Sequence, residues 1–339
     1  MIIENNILKT IKASFNRSTI QRNELLGSDA EIIQLKDGTY LAITVDSIVE
    51  EIVSGLYTDP YLIGWMTVMA SLSDLAAVGA KPIGILLIEN IPSGYPADKL
   101  HLIQKGIHEA CCQSNTFVLG GDTNSSKDLQ MAAVAVGIID EKVISRMGCR
   151  ENDLLLISDA MGSGMGFALT QLFYNQYNIP YKPTPNLMHG QIVRKYASSC
   201  IDTSDGFFPA ICNLMELNNI GFTINKRFDD FIDPRVKEIA QKVNIPYWFF
   251  LAGPHGEFNL IFTIPPSNLD EFLADASEIN WTPSIVGTVI KKQELEYSVN
   301  EKNILIDGFG ITNLFVLSGG DPERYLKALF KLNQEWALQ

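Results

Sequence analysis

The sequence predicts a mixed α/β (α+β) fold divided into two domains, and three observations lead to that prediction. The chain has 339 residues, more than twice the roughly 100–150 residues of a typical domain. Short apolar segments of strand length alternate with longer segments of helical period along the whole sequence. Hydrophobic residues make up 46% of the chain and charged residues 19%, which is enough apolar material for two cores. We therefore expect domains at residues 1–150 and 151–339, divided near a polar turn at 146–153.

The first half is predicted to open with a helix over residues 3–17, and its core is predicted to contain one long apolar helix. That helix, over 61–78, is apolar on nearly every face and stops at Gly79, with Pro82 just beyond. Apolar segments of strand length predict the sheet of this half, with strands at 40–45, 83–88, 117–119 and 130–139.

The second half is predicted to begin with a fresh strand at 154–158. Helical spacing and stop signals predict its helices, over 164–178, 187–197, 207–218 and 322–336. The strands expected between them run into Asp202 and over 221–225, 258–264, 284–290 and 295–299.

Charge and composition exclude several classes of protein. With 26 basic and 39 acidic residues the net charge is −13, so a basic face for nucleic acid is not expected. Glu4 and Lys9 interrupt the amino-terminal segment where a signal peptide would need an unbroken apolar stretch. The longest apolar runs are too short to span a bilayer. The five cysteines lack C-x-x-C spacing, which favours reduced thiols. We expect a cytoplasmic protein without a membrane partner.

Six aspartates stand in settings where an ordinary surface carboxylate is not expected. Asp74 lies on the apolar helix about one turn from its end, and Asp46 and Asp122 directly follow apolar strands. A carboxylate in such a place is costly unless it is paired or bound to a metal. One hypothesis is that all six converge on hard cations that bridge a polyphosphate; the other is that they are separate helix caps and turn residues. The six are Asp29, Asp46, Asp74, Asp122, Asp202 and Asp205.

Two glycine-rich turns could approach phosphate. Gly120 and Gly121 precede Asp122 at a strand end, where glycine lets the backbone come close to a ligand. The turn at 161–167 has glycines at every second position, one residue short of a dinucleotide-binding G-x-G-x-x-G. No P-loop motif is present in the sequence, so this second turn predicts either a phosphate cradle or merely a tight turn.

Six motifs occur in order along the chain, among them GSDAEII, ITVDSIVEE, SLSDLAAVGAKP, LGGDT and IDTSDGF. Together they resemble the successive motifs of thiamine-monophosphate kinase. Relatives of that family include aminoimidazole ribonucleotide (AIR) synthetase, selenophosphate synthetase and a hydrogenase maturation protein. The resemblance implies a two-domain PurM-like fold in which the amino-terminal sheet domain forms a homodimer. It also implies an ATP-dependent phosphotransferase or synthetase that uses Mg²⁺, with ATP as co-substrate and a small molecule as acceptor.

The resemblance assigns roles to individual positions. The six aspartates match the family's magnesium positions, with Thr44 assisting. Positions that match nucleotide contacts are Gly120, Gly121, Asp122, Arg146 and Ser204.

The acceptor side departs from the family pattern. The usual G-D-D reads Gly27-Ser28-Asp29, and a histidine of the family aligns with Val53. In the family's G-G-E-D-Y-E-L motif, Gly256 replaces the substrate-binding glutamate and Glu257 replaces the next aspartate. We expect the acceptor to be lined by Val53, His255, Glu257 and Phe309.

Asp205, Glu257 and His255 are the candidate catalytic groups. We expect His255 to lie in an exposed loop, where it could carry a proton. For Phe309, packing in the core is the alternative to lining the acceptor.

Three hypotheses on function follow. The first hypothesis is phosphoryl transfer to a small molecule other than a thiamine phosphate. The second is thiamine-monophosphate kinase itself, and the third is a catalytically silent nucleotide-binding partner protein.

Overall fold

The first half of the chain folds around a five-stranded sheet. The computed structural model describes residues 1–300 and 302–337. Within them the strands run in the order β1-β2-β5-β3-β4, and every neighbouring pair is antiparallel except the parallel β3 and β4. The strands are β1 (Glu31–Gln34), β2 (Tyr40–Ser47), β3 (Lys81–Pro92), β4 (Val118–Ser126) and β5 (Gln130–Ile139).

Helices cover one face of this sheet. Helix α3 (Pro60–Ala77) contributes the largest share of the buried residues in the core of this half, as its nearly unbroken apolar sequence predicts. Its start is fixed by Asp59, whose side chain accepts a hydrogen bond from the backbone N–H of Tyr61. The other helices of this half are α2 (Val49–Val53) and α4 (Ala97–Gln113).

The second half contains a seven-stranded sheet. Among the described residues its order is β12-β11-β8-β10-β6-β9-β7, and only β8 and β11 pair in parallel. Its strands are β6 (Leu154–Ile157), β7 (Ser199–Asp202), β8 (Gly221–Ile224), β9 (Leu260–Ile264), β10 (Ser284–Ile290), β11 (Leu295–Val299) and β12 (Lys302–Ile306).

Seven helices described in this half pack against its sheet or against one another, around a core rich in phenylalanine. The predicted helix over 164–178 ends early, at Leu172, and the segment that follows is a loop held on α3 by Lys182 and Pro183. The helices are α5 (Ser163–Leu172), α6 (Leu187–Tyr196), α7 (Phe207–Asn218), α8 (Pro234–Val243), α9 (Leu269–Glu278), α10 (Gly308–Leu317) and α11 (Pro322–Ala337).

The amino-terminal helix α1 (Ile3–Lys12) lies against the second half, and only Lys12 at its end contacts the first half, at Glu24 and Leu25, by hydrogen bonds among the described residues. The backbone N–H of Ile2 donates to Glu216 at 2.9 Å, and that of Ile3 donates to Asn313 at 2.7 Å. The helix is shorter than the predicted 3–17. The division into domains at residue 150 stays a prediction. No helix among the described residues is long and apolar enough to cross a membrane.

Helix α3 connects the two halves. It packs on β2 and β5 of the first sheet and also contacts β7 and α6 of the second half. The hydroxyl of Ser73 on α3 donates a 2.5 Å hydrogen bond to Asp202 at the end of β7. Residues from both halves are therefore brought together along α3.

Candidate functional site

Three aspartates from different parts of the chain form a compact cluster at the junction of the two halves. Asp29 precedes β1, Asp74 lies near the end of α3, and Asp202 ends β7. One carboxylate oxygen of each lies within 4.8 Å of the others. Such a group can serve as a set of ligands for a hard cation.

Strand β2 adds a hydroxyl and a fourth carboxylate to this cluster. Thr44 and Asp46 are two residues apart and so lie on the same face of the strand. The hydroxyl of Thr44 donates a short hydrogen bond to Asp74 Oδ2. Asp46 Oδ2 is buried and has no hydrogen-bond partner among the described residues.

One arginine contacts the cluster. The backbone N–H of Arg146 donates to the carbonyl of Gly27 at 3.0 Å, which holds the side chain beside Asp29. Its guanidinium then donates to Asp29 Oδ1 at 2.9 and 3.2 Å. Burial disfavours the charged guanidinium, but the Asp29 carboxylate outweighs this and raises the pKa of Arg146.

The electrostatics of the cluster are those of carboxylates crowded in a poorly solvated place. Burial, followed by repulsion from its neighbours, raises the pKa of Asp74 well above its ordinary value. Burial and the charge of Asp29 raise the pKa of Asp202 to about 7. Burial likewise raises the pKa of Asp46.

Two carboxylate oxygens of the cluster have no hydrogen-bond partner among the described residues and are available as ligands for a cation. Oδ2 of Asp29 and Oδ2 of Asp46 are both buried without a partner in the part of the chain that the structure describes. A buried charged oxygen without a partner is costly. Divalent cations prefer such carboxylate oxygens, so the residues present fit a magnesium-like ion.

A cavity of about 180 Å³ adjoins the carboxylates. The loop between β7 and α7 forms one side of it, and Pro209, Ala210 and Asn213 also line it, so the N-terminal part of α7 lies beside the cavity. A helix N-terminus and a guanidinium both favour anions. The site residues that line the cavity are Arg146, Asp202, Ser204 and Asp205.

Asp122 is a predicted metal position that lies away from the cluster, whereas Asp205 lines the adjoining cavity. It lies exposed on β4, at the edge of the first sheet, and accepts a 2.6 Å hydrogen bond from Asn124. The register pairs Asp46 with Ala133, Ala133 with Leu87, and Leu87 with Gly121. Asp122 directly follows Gly121. Its place on β4 is therefore three strand spacings of about 4.8 Å, or about 14 Å in all, from Asp46 on β2. Within one chain Asp122 therefore does not join the other aspartates, and its assignment as a metal position stays a prediction.

Gly120 and Gly121 lie on the same exposed edge strand. A Cβ atom on Gly121 would lie 2.3 Å from the carbonyl oxygen of Leu87. The close approach of β4 to β3 therefore requires glycine there whether or not a ligand binds.

The side chain of Glu257 fills the glycine-rich turn at 161–167, where the sequence allowed a phosphate cradle. Its Oε2 accepts hydrogen bonds from the backbone N–H groups of Gly162 at 2.7 Å and Gly164 at 3.5 Å. Thr203 donates to its other oxygen at 3.3 Å. Burial raises the pKa of Glu257 to about 7 even though these donors favour the ionised form. The turn is therefore capped by a side chain of the protein.

His255 is not in an exposed loop, and that expectation was wrong. Its residue exposure is 7%, and Nε2 lies 2.8 Å from the hydroxyl of Tyr57, which comes from the first half. Burial lowers the pKa of His255 to about 4. The imidazole is therefore neutral near pH 7 and is unsuited to gaining a proton there.

The remaining acceptor candidates have different surroundings. Val53 ends α2 and is 69% exposed. Phe309, at the start of α10, is partly buried and packs against the core of the second half.

Sequence reasoning missed Ser73 and Tyr57. Ser73 directly precedes Asp74 in the SLSD segment, so its position on α3 could have drawn attention to it. Tyr57 carries no local signal, because its partner His255 is 198 residues away.

Comparisons with known proteins bear on the fold and the family. Residues 27–139 match the family model described as AIR synthase related protein, N-terminal domain. The thiamine-monophosphate kinase of Pyrococcus horikoshii is 26% identical over 279 residues, which cover 80% of this chain and 87% of that protein.

Solved structures share the fold. The structure of AaThiL complexed with AMPPCP and TMP has a TM-score of 0.71 at 20% identity, covering 89% of this chain and 93% of that chain. The hydrogenase maturation protein HypE in complex with ATP has a TM-score of 0.65 at 16% identity, covering 90% of this chain and 92% of that chain. The predicted two-domain α/β fold is confirmed by these solved structures.

Proposed function

We propose that this chain is a thiamine-monophosphate-kinase-like member of the AIR synthase-related superfamily and that it transfers a phosphoryl group from magnesium-ATP to an oxygen of a small molecule. The observation that carries the proposal is the cluster of Asp29, Asp74 and Asp202, whose oxygens lie within 4.8 Å of one another beside Arg146. Phosphoryl transfer depends on positioning and on neutralising charge rather than on covalent chemistry. A cluster of carboxylates with unpartnered oxygens suits that requirement.

The chain's own residues have separable roles in this proposal. Asp29, Asp46, Asp74 and Asp202 would hold magnesium, with Thr44 and Ser73 fixing the orientation of two carboxylates by hydrogen bonds. Magnesium bound there would neutralise the phosphate oxygens of ATP. Arg146 and Ser204 line the adjoining cavity and would contact the phosphates. Asp205 lines the same cavity and is the carboxylate nearest in sequence to the α7 N-terminus.

The acceptor is proposed to differ from thiamine monophosphate. A Cβ atom on Gly256 would lie 1.6 Å from the carbonyl oxygen of Thr203. The glutamate that the family has at this position could therefore not be accommodated here unless the backbone moved. Glu257 is engaged with Gly162 and Gly164, and His255 with Tyr57. Val53 is the exposed candidate among those predicted to line the acceptor.

Thiamine-monophosphate kinase itself is the second candidate. The names of the curated relatives favour it, and so does TMP in the solved relative. The same carboxylate cluster supports either enzyme and argues against a silent nucleotide-binding protein, which would not need four crowded carboxylates.

A homodimer is also part of the proposal. The edge strand β4 is exposed along nearly its whole length, and it presents large apolar side chains beside those of β3. Exposed apolar patches of this kind favour association, and an open sheet edge favours pairing. The exposed apolar residues are Ile83, Leu86, Ile88, Phe117, Val118 and Leu119.

Phosphorus NMR of the protein with magnesium-ATP and thiamine monophosphate tests the function. A diphosphate resonance on thiamine that disappears in Asp74→Asn would establish thiamine-monophosphate kinase and refute the proposed change of acceptor. Release of ADP without a thiamine product, again lost in Asp74→Asn, supports a different acceptor. Tight binding of magnesium-ATP with no turnover on any oxygen acceptor would support the silent partner.

A further inference from the structure

Helix α1 forms one wall of the cavity beside the carboxylates. Asn5 and Leu8 of this helix line the cavity opposite the residues of the second half that include Asp202, Ser204 and Asp205. Asn5 is 8% exposed, whereas its neighbour Asn6 is exposed. The helix thus turns one polar side chain inward at this point.

The side chain of Asn5 makes only long hydrogen bonds in this position. Its Nδ2 lies 3.3 Å from Glu216 Oε2 and 3.5 Å from Asn213 Oδ1. Both distances exceed the roughly 2.9–3.0 Å usual for an N–H···O bond. The amide therefore has a donor that a closer acceptor could engage.

The cavity offers surroundings for phosphate. Its 180 Å³ compares with the roughly 10–15 Å³ that one water needs, so it has room for phosphate groups. Arg146 supplies a guanidinium, Ser204 a hydroxyl, and the 12-residue helix α7 begins at its wall. The fully buried side chain of Asp29, with its unpartnered Oδ2 next to Arg146, independently points to a bound cation.

We propose that Asn5 contacts the polyphosphate of the bound nucleotide, and that α1 docks more firmly when magnesium and polyphosphate occupy the cavity. This inference rests on the proposed function. The helix is held on the second half by Glu216, which accepts from Ile2 and from Lys9 at 2.9 Å, and by Asn313. These contacts place Asn5 at the cavity wall before any ligand binds.

The test compares Asn5→Ala with Asn6→Ala in the full chain. Calorimetric titration would use three probes: magnesium with a non-hydrolysable ATP analogue, magnesium-tripolyphosphate, and adenosine. We expect Asn5→Ala to weaken binding of the first two about tenfold, the loss typical of one hydrogen bond to a charged group, and to leave adenosine binding unchanged. Asn6→Ala should match the wild type with all three probes.

Hydrogen exchange of residues 3–12 supplies a second readout that needs no variant. Exchange in the wild type should slow when magnesium-tripolyphosphate is added. Unchanged exchange, unchanged affinities in Asn5→Ala, or an equal loss for adenosine would overturn the inference. If the wild type binds none of the magnesium-phosphate probes, both the proposed function and this inference fail. If it binds them and Asn5→Ala does so equally well, only the inference fails.

Discussion

The guanidinium of Arg146 donates two hydrogen bonds to Oδ1 of Asp29, at 2.9 and 3.2 Å, while Oδ2 of Asp29 is buried without a partner among the described residues. One oxygen of this carboxylate is thus satisfied by the protein and the other is left for a ligand. The pair is formed across 117 residues of sequence. It fixes the segment between the two halves beside the carboxylate cluster.

Arg146→Met is expected to destabilise the metal-free protein by about 3 kcal/mol, because it leaves the buried Asp29 without its cation. Added magnesium should recover part of the loss by binding the same carboxylate. Urea unfolding with a chelator, and again with excess Mg²⁺, measures both effects. The control is Arg227→Met, which removes a more exposed pair with Asp229 and should cost less than about 1 kcal/mol. Equal stability of the two variants with the chelator would contradict this account of Asp29.

Asp74→Asn should have opposite effects on stability and on activity. Burial and three neighbouring carboxylates raise the pKa of Asp74, so at neutral pH folding costs free energy either to ionise or to protonate this group. Asparagine removes that cost and should stabilise the metal-free protein by on the order of 1 kcal/mol. Loss of a proposed magnesium ligand should lower magnesium-dependent ATP turnover by at least about 100-fold.

Thermal unfolding with a chelator and a steady-state ATPase or kinase assay give the two measurements. Asp98→Asn, an exposed aspartate in the first turn of α4, is the matched control and should retain activity. A variant of Asp74 that loses stability but keeps turnover would remove this residue from the proposed metal site.

The carboxylate cluster was largely predictable because its signal is local. Asp74 on an apolar helix and Asp202 at a strand end are each anomalous within a few residues of sequence, and the cost of burying such groups suggests a shared ligand. The spatial grouping of Asp29, Asp74 and Asp202 is what that reasoning anticipates. Asp122 has the same kind of local signal, but strand order decides its place, and β5 and β3 separate its strand from β2.

The parts that sequence reasoning missed depend on long-range contacts. The Gly-Pro-His-Gly segment favours an exposed loop, yet Tyr57 from the other half supplies a partner that lets His255 be buried. The amphipathic spacing of α1 predicts that one face is covered but not which element covers it. That element, around Glu216 and Asn313, is more than 200 residues away.

Glu257→Gln should change the pH dependence of stability. Burial raises the pKa of Glu257 to about 7 in the folded protein, above its ordinary 4.5. The folded state therefore holds this proton more tightly than the unfolded state, so the stabilisation is fully present below about pH 4.5 and is lost as pH rises to about 7. We expect the wild type to lose on the order of 3 kcal/mol from this group across that range, and Glu257→Gln to lose none of it.

Urea unfolding at pH 5, 6, 7 and 8 with a chelator measures that difference. The buried aspartates are common to both proteins, so their contribution cancels when the two pH profiles are subtracted. Parallel profiles would mean that Glu257 titrates normally. A variant that is stable at pH 8 but has lost turnover would separate capping of the turn from a proton-transfer role.

Leu119→Asp is expected to convert a homodimer into monomers. Leu119 is 56% exposed on the edge strand β4, and Phe117, which directly precedes this strand, is 67% exposed. A charge there would have to be desolvated if this apolar edge were covered by a second copy.

Sedimentation velocity of the wild type should give twice the mass of the chain, and Leu119→Asp should give the monomer mass. Leu317→Asp, at a leucine on α10 that is 68% exposed, should leave the dimer intact. A wild type that is monomeric at micromolar concentration, or a Leu119→Asp variant that stays dimeric, would rule out this edge as the interface.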